Sequence, residues 1–307
     1  MLAGRRMLAG CCALAALLLP AVLSPEAEAQ SRSTSILEGS SDADARRDAE
    51  RSIPFRDLSS ADRRKVSAVL SDATIFRRLP VQVTRCDPRL HHFLITSLDV
   101  TVNIWRELGI SDMNVTRTGP TTFRAVAPDG SITDLEFLHS DDELQVIYAV
   151  GSYKGPIFKA AINGGALLIL KSGYIRETDG HYYATSRLDV FLRIDNAALG
   201  LLSRTVEPMI VKAAEANFAD CSNFLAQLST ACAARPETIQ RMAMRLDLVD
   251  PDDRDKFAQI AGRIADADGD WVAARPPRRD EEHPLADDTP YDIGRTFRLP
   301  AATKLLR

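Results

Sequence analysis

Residues 182 to 195 constrain the fold more than any other segment, because mainly apolar and mainly polar side chains alternate along them. The mainly apolar set comprises Ala184, Ser186, Leu188, Val190, Leu192 and Ile194. The more polar set comprises Tyr183, Thr185, Arg187, Asp189, Phe191 and Arg193. A period of two residues is typical of a β-strand whose two faces meet different surroundings. We therefore predict an antiparallel strand with one buried and one solvent-exposed face, on which Arg187 and Asp189 form a surface ion pair. The alternative is the reversed orientation, in which these charges lie inside a polar pocket.

Four β-rich segments precede this strand, at residues 121–126, 131–139, 144–152 and 166–175. Turn-forming residues separate consecutive segments, at Asp129-Gly130, Asp141-Asp142, Asn163-Gly164-Gly165 and Asp179-Gly180. A glycine after Asn or Asp is a strong signal for a tight hairpin turn. The sequence thus predicts about five antiparallel strands joined in chain order.

The segments on either side of the strands have the spacing of amphipathic helices. Before the strands, helices are predicted at 61–70, from Pro88 onward with Asp87 as the cap, and at 98–108 with Gly109 after the last turn. After the strands, residues 197–232 carry a broad apolar stripe, which Pro208 must either kink or divide into two helices. Two shorter helices are predicted at 237–246 and 252–265.

These elements predict an α+β fold, in which a curved antiparallel sheet grips the long C-terminal helix and further helices lie at both ends of the chain. The long helix is the only predicted element large enough to cover the apolar face of the sheet. A curved sheet that closes on a single helix leaves a cleft between the two, and such a cleft suits an apolar ligand.

The N-terminus has the order of parts found in a secretory signal peptide. Arg5 and Arg6 precede an apolar run from 7 to 23, and the small-residue pattern Ala27-Glu28-Ala29 follows it. We predict that residues 1–29 are removed and that the protein is exported to the periplasm or the extracellular space. An uncleaved membrane anchor is the alternative, although the run is short for a bilayer span and contains Pro20.

Composition divides the rest of the chain. Residues 30–54 are predicted to be a disordered leader, 55–232 the α+β domain, 233–265 accessory helices and 266–307 a disordered tail.

The formal net charge of -4 argues against nucleic acid as a partner, which would require a basic face. Beyond the signal peptide only Cys86, Cys221 and Cys232 remain, so a hydrophobic core must hold the fold. One disulfide from Cys86 to either of the others and three buried thiols are both open.

The order of elements from Asp87 to Ala231 resembles the helix-grip, START-like superfamily, which includes lipid-transfer and polyketide cyclase-like domains. The features that carry the resemblance are helices ending in Ile104-Trp105-Arg106-Glu107-Leu108-Gly109, a run of hairpins, the strand at 186–194 and the long helix after it. The resemblance implies a hydrophobic small molecule or lipid as the partner, held between sheet and helix without a cofactor.

The predicted ligand-binding residues follow from that arrangement. Trp105 lies near the expected opening, and Tyr148 is the predicted polar anchor. The remaining wall residues are Leu168, Leu188, Val190, Leu192, Met209 and Asn217. Ile157 and Phe158 lie in a connection between strands, where two large apolar side chains suit a lid or a transient membrane contact. Burial against the end of the sheet is the alternative for both.

Catalytic and metal-binding signatures are absent from the mature sequence. His91 and His92 are adjacent on a predicted helix and point about 100° apart, so a surface histidine pair is expected there and no metal site. Our leading hypothesis is noncatalytic binding. An enzyme of the cyclase or dehydratase type, with Tyr148 and either His139 or Asp134 as acid–base groups, is one alternative. An envelope structural or adaptor protein is the other.

Overall fold

The computed structural model describes residues 34–35, 37–153, 162–195 and 206–274. The predicted signal peptide, the lid residues Ile157 and Phe158, the segment 197–205 and the chain from 275 onward lie outside the described residues.

The described residues form one antiparallel sheet and seven helices, which confirms the predicted α+β class with a curved sheet and a long helix after the strands. The strands are β1 (Thr34–Ser35), β2 (Ile75–Arg78), β3 (Gln82–Arg85), β4 (Asn114–Arg117), β5 (Thr122–Val126), β6 (Ile132–Ser140), β7 (Leu144–Tyr153), β8 (Ile162–Arg176) and β9 (Tyr182–Ile194). The helices are α1 (Ala43–Arg51), α2 (Ser60–Asp72), α3 (Pro88–Thr96), α4 (Leu98–Glu107), α5 (Val206–Ala234), α6 (Pro236–Ala243) and α7 (Pro251–Ala274).

The strand order is β1-β3-β9-β8-β7-β6-β5-β4, and β2 also pairs with β9 beside β3. The five predicted strands correspond to β5 through β9, and each pairs with its neighbour in the chain. The four shorter strands were not predicted. Each has four residues or fewer, which is too short for a pattern of period two to stand out.

Local signals set the helix ends as predicted. The Asp87 carboxylate accepts the backbone N–H of Arg89 at 2.9 Å, and Pro88 occupies the first turn of α3. Gly109 has a positive φ of 67° directly after α4, a conformation that favours glycine. Pro208 lies in the first turn of α5, where its missing N–H has no helical acceptor to lose.

The leader, predicted to be disordered from 30 to 54, contains the helix α1. The Asp42 side chain caps α1 by accepting the backbone N–H of Ala45 at 2.7 Å. Ala45 and Ala49 are buried against the sheet. Composition concealed this helix, because it buries only small side chains and otherwise presents charged residues.

The helices α1 and α2 cover the outer face over β7 to β9, so the prediction of a solvent-exposed face was wrong for β9, whereas the same face of β5 and β6 is exposed at Arg124, Ile132 and Asp134. The inner face carries Leu168, Leu188 and Val190 and shares one apolar core with residues of α3 to α7. The outer face carries Leu167, Ile169 and Phe191 and shares a second core with α1 and α2. The exposed ion pair predicted for Arg187 and Asp189 is instead a buried one, with Asp189 0% exposed.

None of the helices in the described part of the chain is both long and apolar enough to cross a membrane.

Candidate functional site

The inner face brings most of the predicted ligand-binding residues together. Trp105, Leu168, Leu188 and Val190 belong to the inner core, and Leu192 packs against it. Asn217 is buried on α5, whereas Met209 lies near the start of α5 and is 46% exposed. The Trp105 ring meets Phe224 edge-on with 5.8 Å between ring centroids, so aromatic side chains fill part of the space between α4 and α5.

Tyr148 does not face this interior. It packs against the outer core, and the Lys65 ammonium lies 6.0 Å from the centroid of its ring. Its neighbours Ile147 and Ala149 are the residues of β7 that face the inner core. The alternation along β7 was recognised, but it does not say which face meets α5 when both faces are buried.

Several buried polar atoms have no hydrogen-bond partner among the described residues, and of these Trp105 Nε1, Asn217 Nδ2 and Thr133 Oγ1 lie in the walls of the interior. All three side chains are at least nine-tenths buried. Asn217 shares a face of α5 with Ala214 and Cys221, both of which contact the inner core. Buried polar groups are nearly always paired, so unpaired ones of this kind call for a ligand or ordered water.

Asp220 lies one turn beyond Asn217 on α5. Burial raises the pKa of its carboxyl group to about 6. Within the described residues no cation or hydrogen-bond donor offsets this burial. The carboxyl is therefore a partly desolvated group beside the interior, which is an arrangement common near binding sites.

A neutral polar network, which the sequence did not predict, occupies the inner face near the turn between β8 and β9. His91 is 1% exposed; its Nδ1 lies 2.9 Å from Tyr174 Oη and its Nε2 lies 3.1 Å from Ser186 Oγ. Burial lowers the pKa of His91 to about 4, so the imidazole is neutral near pH 7. A neutral ring offers one donor and one acceptor, and the two hydroxyls can satisfy both.

The predicted surface histidine pair is therefore wrong for His91. The available signal was Ser186, a polar residue within the set predicted to be buried, because such a hydroxyl requires a partner in an apolar interior. The same network contains Tyr174, which is only partly buried and connects the interior to the protein surface.

The acid–base residues predicted for an enzyme are not brought together. Asp134 forms an exposed ion pair with Arg124, with 2.7 Å between Oδ1 and Nε. His139 Nε2 lies 2.8 Å from Asp141 Oδ2, and Tyr148 faces the outer core. The alternative enzyme hypothesis therefore loses the residues on which it was based.

Cys86, Cys221 and Cys232 are free thiols, and burial raises the pKa values of Cys86 and Cys221 to about 12. Within the described ranges, no group of three or more His, Cys, Asp or Glu side chains is placed to hold a metal ion.

No protein-family model matches the chain, and no curated protein matches it at a significant level.

Proposed function

We propose that this protein binds a hydrophobic small molecule or lipid in the cell envelope, without catalysing a reaction, in the apolar interior between the inner face and the helices α4 and α5. The observation that supports this function best is the presence of unpaired polar atoms in an otherwise apolar wall, at Trp105, Asn217 and Thr133. A START-like relationship, implied by the order of elements, belongs to the same proposal.

The unpaired atoms indicate what the ligand presents. Trp105 Nε1 and Asn217 Nδ2 are both hydrogen-bond donors. A bound molecule that pairs with either must carry an acceptor oxygen beside its apolar body. An ester, a ketone or a fatty-acid carboxyl group fits that description.

The first experiment measures binding of a fluorescent fatty-acid probe to the purified protein, together with mass spectrometry of an organic extract. Val190→Trp places a large side chain in the apolar wall and is expected to abolish probe binding. Asn217→Leu removes one unpaired donor and is expected to weaken binding about tenfold while unfolding free energy is maintained or raised.

Tyr148→Phe is the matched control, because Tyr148 lies on the outer face. It should leave the probe affinity unchanged. If no lipid class binds, or if Tyr148→Phe weakens binding as much as Val190→Trp does, the interior is not the site and the proposal fails.

A second candidate function is favoured by the His91 network alone. A neutral histidine held between two hydroxyls has the geometry of an acid–base group, with Tyr174 leading toward the surface. An enzyme would lose turnover in His91→Phe while still binding its substrate. A loss of stability with no change in any turnover would leave the network a structural one.

Export is part of the proposal. Residues 1–29 are proposed to be removed by a signal peptidase, so the mature protein is expected to begin at Gln30 and to be found outside the cytoplasm. Cell fractionation with N-terminal sequencing tests this directly. A chain that retains Met1 in the cytoplasmic fraction contradicts export.

A further inference from the structure

A small pocket of about 70 Å³ lies at the end of the sheet where β8 turns into β9, against the C-terminal half of α5. Arg85, Asp87, Arg176, His181 and Ser229 are among the residues that line it. Pockets for drug-sized ligands have volumes of roughly 300 Å³ or more. This pocket therefore suits a compact group of a few atoms and is distinct from the interior proposed to hold the apolar ligand.

Two guanidinium groups of the pocket have no carboxylate partner in the described part of the chain. Arg85 Nη2 lies 2.9 and 3.0 Å from the two ring nitrogens of His181. Arg176 donates from Nε to the backbone oxygen of Gly180 at 3.1 Å and lies over the ring of Tyr182. Each guanidinium has five N–H donors, so most of the donors on both arginines remain available.

The two carboxylates nearest this pocket are already engaged. Asp87 lines the pocket and accepts Nε and Nη2 of Arg89 at 3.1 and 2.9 Å, besides capping α3. Asp179 accepts the backbone N–H of His181 and the hydroxyl of Tyr183 at 2.8 and 2.9 Å. The Asp87 charge is matched by Arg89, which leaves the carboxylates of Asp179 and of the exposed Glu177 as the other negative charges near Arg85 and Arg176.

We propose that this pocket binds a phosphoryl group. Planar guanidinium groups match the oxygens of phosphate with paired hydrogen bonds, and two of them suit a group that carries a charge of about -1.5 to -2 near pH 7. The pocket volume limits the ligand to inorganic phosphate or to the phosphoryl head of a larger molecule that extends into solvent. The phosphomonoester head of a lipid such as phosphatidic acid and a free phosphate present the same chemistry here.

Isothermal titration calorimetry of the purified protein with inorganic phosphate at low ionic strength tests the site. We expect saturable binding with a Kd for phosphate in the millimolar range or below. Arg85→Gln and Arg176→Gln should each raise this Kd about tenfold or more. Arg124→Gln is the matched control, because Arg124 is an exposed arginine on β5 that is paired with Asp134. It removes the same charge and should bind phosphate like the parent protein. Thermal unfolding of each variant verifies that the fold is retained.

Vesicles that contain phosphatidic acid, compared with vesicles of phosphatidylcholine, distinguish the two sources of the phosphoryl group. Cosedimentation with the anionic vesicles that phosphate competes away and Arg85→Gln abolishes assigns a lipid head group. Phosphate binding without vesicle binding assigns a free phosphate or a soluble phosphate ester. Absence of saturable phosphate binding, or an equal loss in Arg85→Gln and Arg124→Gln, overturns the proposal. Neither result bears on binding of the fatty-acid probe in the interior.

Discussion

The two faces of the sheet bury polar groups in different ways. On the outer face the fully buried carboxylate of Asp189 is paired, because Arg78 donates to it from Nε and Nη2 at 2.6 and 3.0 Å. Arg78 also contacts Asp48 of α1 at 2.8 Å. On the inner face several buried neutral groups, among them Trp105, Thr133 and Asn217, have atoms that lack a partner within the described residues, although the buried Asp99 is paired with Arg117.

This difference predicts how substitution of polar groups on each face changes the stability of the protein. A two-pronged charge pair has a single good geometry, and removing one member leaves the other charged and desolvated. The outer pairs therefore fix α1 against the sheet. An unpaired donor on the inner face instead lowers stability, and the ligand proposed to bind there would give it a partner. Substitution of polar groups on the two faces is thus expected to change stability with opposite signs.

The largest effect is expected for Asp189→Ala. The side chain of Asp189 is 0% exposed, and its loss leaves Arg78 and Arg187 without their shared carboxylate. We expect the free energy of unfolding to fall by about 3–5 kcal/mol, measured by urea denaturation at pH 7. Asp134→Ala, which breaks an exposed ion pair, should change it by less than about 1 kcal/mol. Similar losses in both variants contradict a structural role for burial of the Asp189 pair.

The next effect concerns pH and the inner face. The pKa of His91 falls from its ordinary value of 6.5 to about 4 through burial, so the unfolded chain binds a proton that the folded protein resists. Stability is retained above the unfolded pKa and is lost as pH decreases from about 6.5 toward 4. The loss amounts to about 3 kcal/mol.

Urea denaturation between pH 7 and pH 4 measures this dependence. Because carboxyl groups also titrate in the range, the informative quantity is the difference between the parent protein and His91→Leu. The free energy of unfolding of the parent minus that of His91→Leu should decrease as pH falls. A difference between parent and His91→Leu that is constant with pH contradicts a buried neutral His91.

The contrast between the faces also explains what the sequence reveals and what it conceals. The strands β5 to β9 and the ends of α3 and α4 depend on residues within a few positions, so turn signals and caps predict them. The pair formed by Arg78 and Asp189 joins residues 111 positions apart. No local pattern relates the two.

The site shows the same limit. Leu188 and Val190 were assigned to the inner wall correctly, because their alternation in β9 is strong. Tyr148 was assigned to the wrong face because α1, which has hardly any apolar residues, was not predicted to help cover the outer one. His91 was missed because its partners, Tyr174 and Ser186, are 83 and 95 positions away. A buried polar side chain can be suspected from its position in a strand, but its partner requires the fold.

The smallest effect is expected for Asp220→Asn. This variant tests most directly whether substitutions on the two faces change the free energy of unfolding with opposite signs. The pKa of Asp220 is raised by burial from 3.8 to about 6, so its negative charge destabilises the folded protein above pH 6 and ceases to do so as pH falls toward 3.8. Asp220→Asn should therefore raise the free energy of unfolding by about 1–2 kcal/mol at pH 8, allowing for partial solvent screening, and by little at pH 4. On the outer face, the hydrogen bond from Arg78 holds the pKa of Asp48 below its ordinary value. Asp48→Asn should thus lower the free energy of unfolding at pH 8. If both variants are destabilised at pH 8, the polar groups of the inner face are as fully hydrogen-bonded as those of the outer face. The reason for placing a ligand on the inner face then disappears.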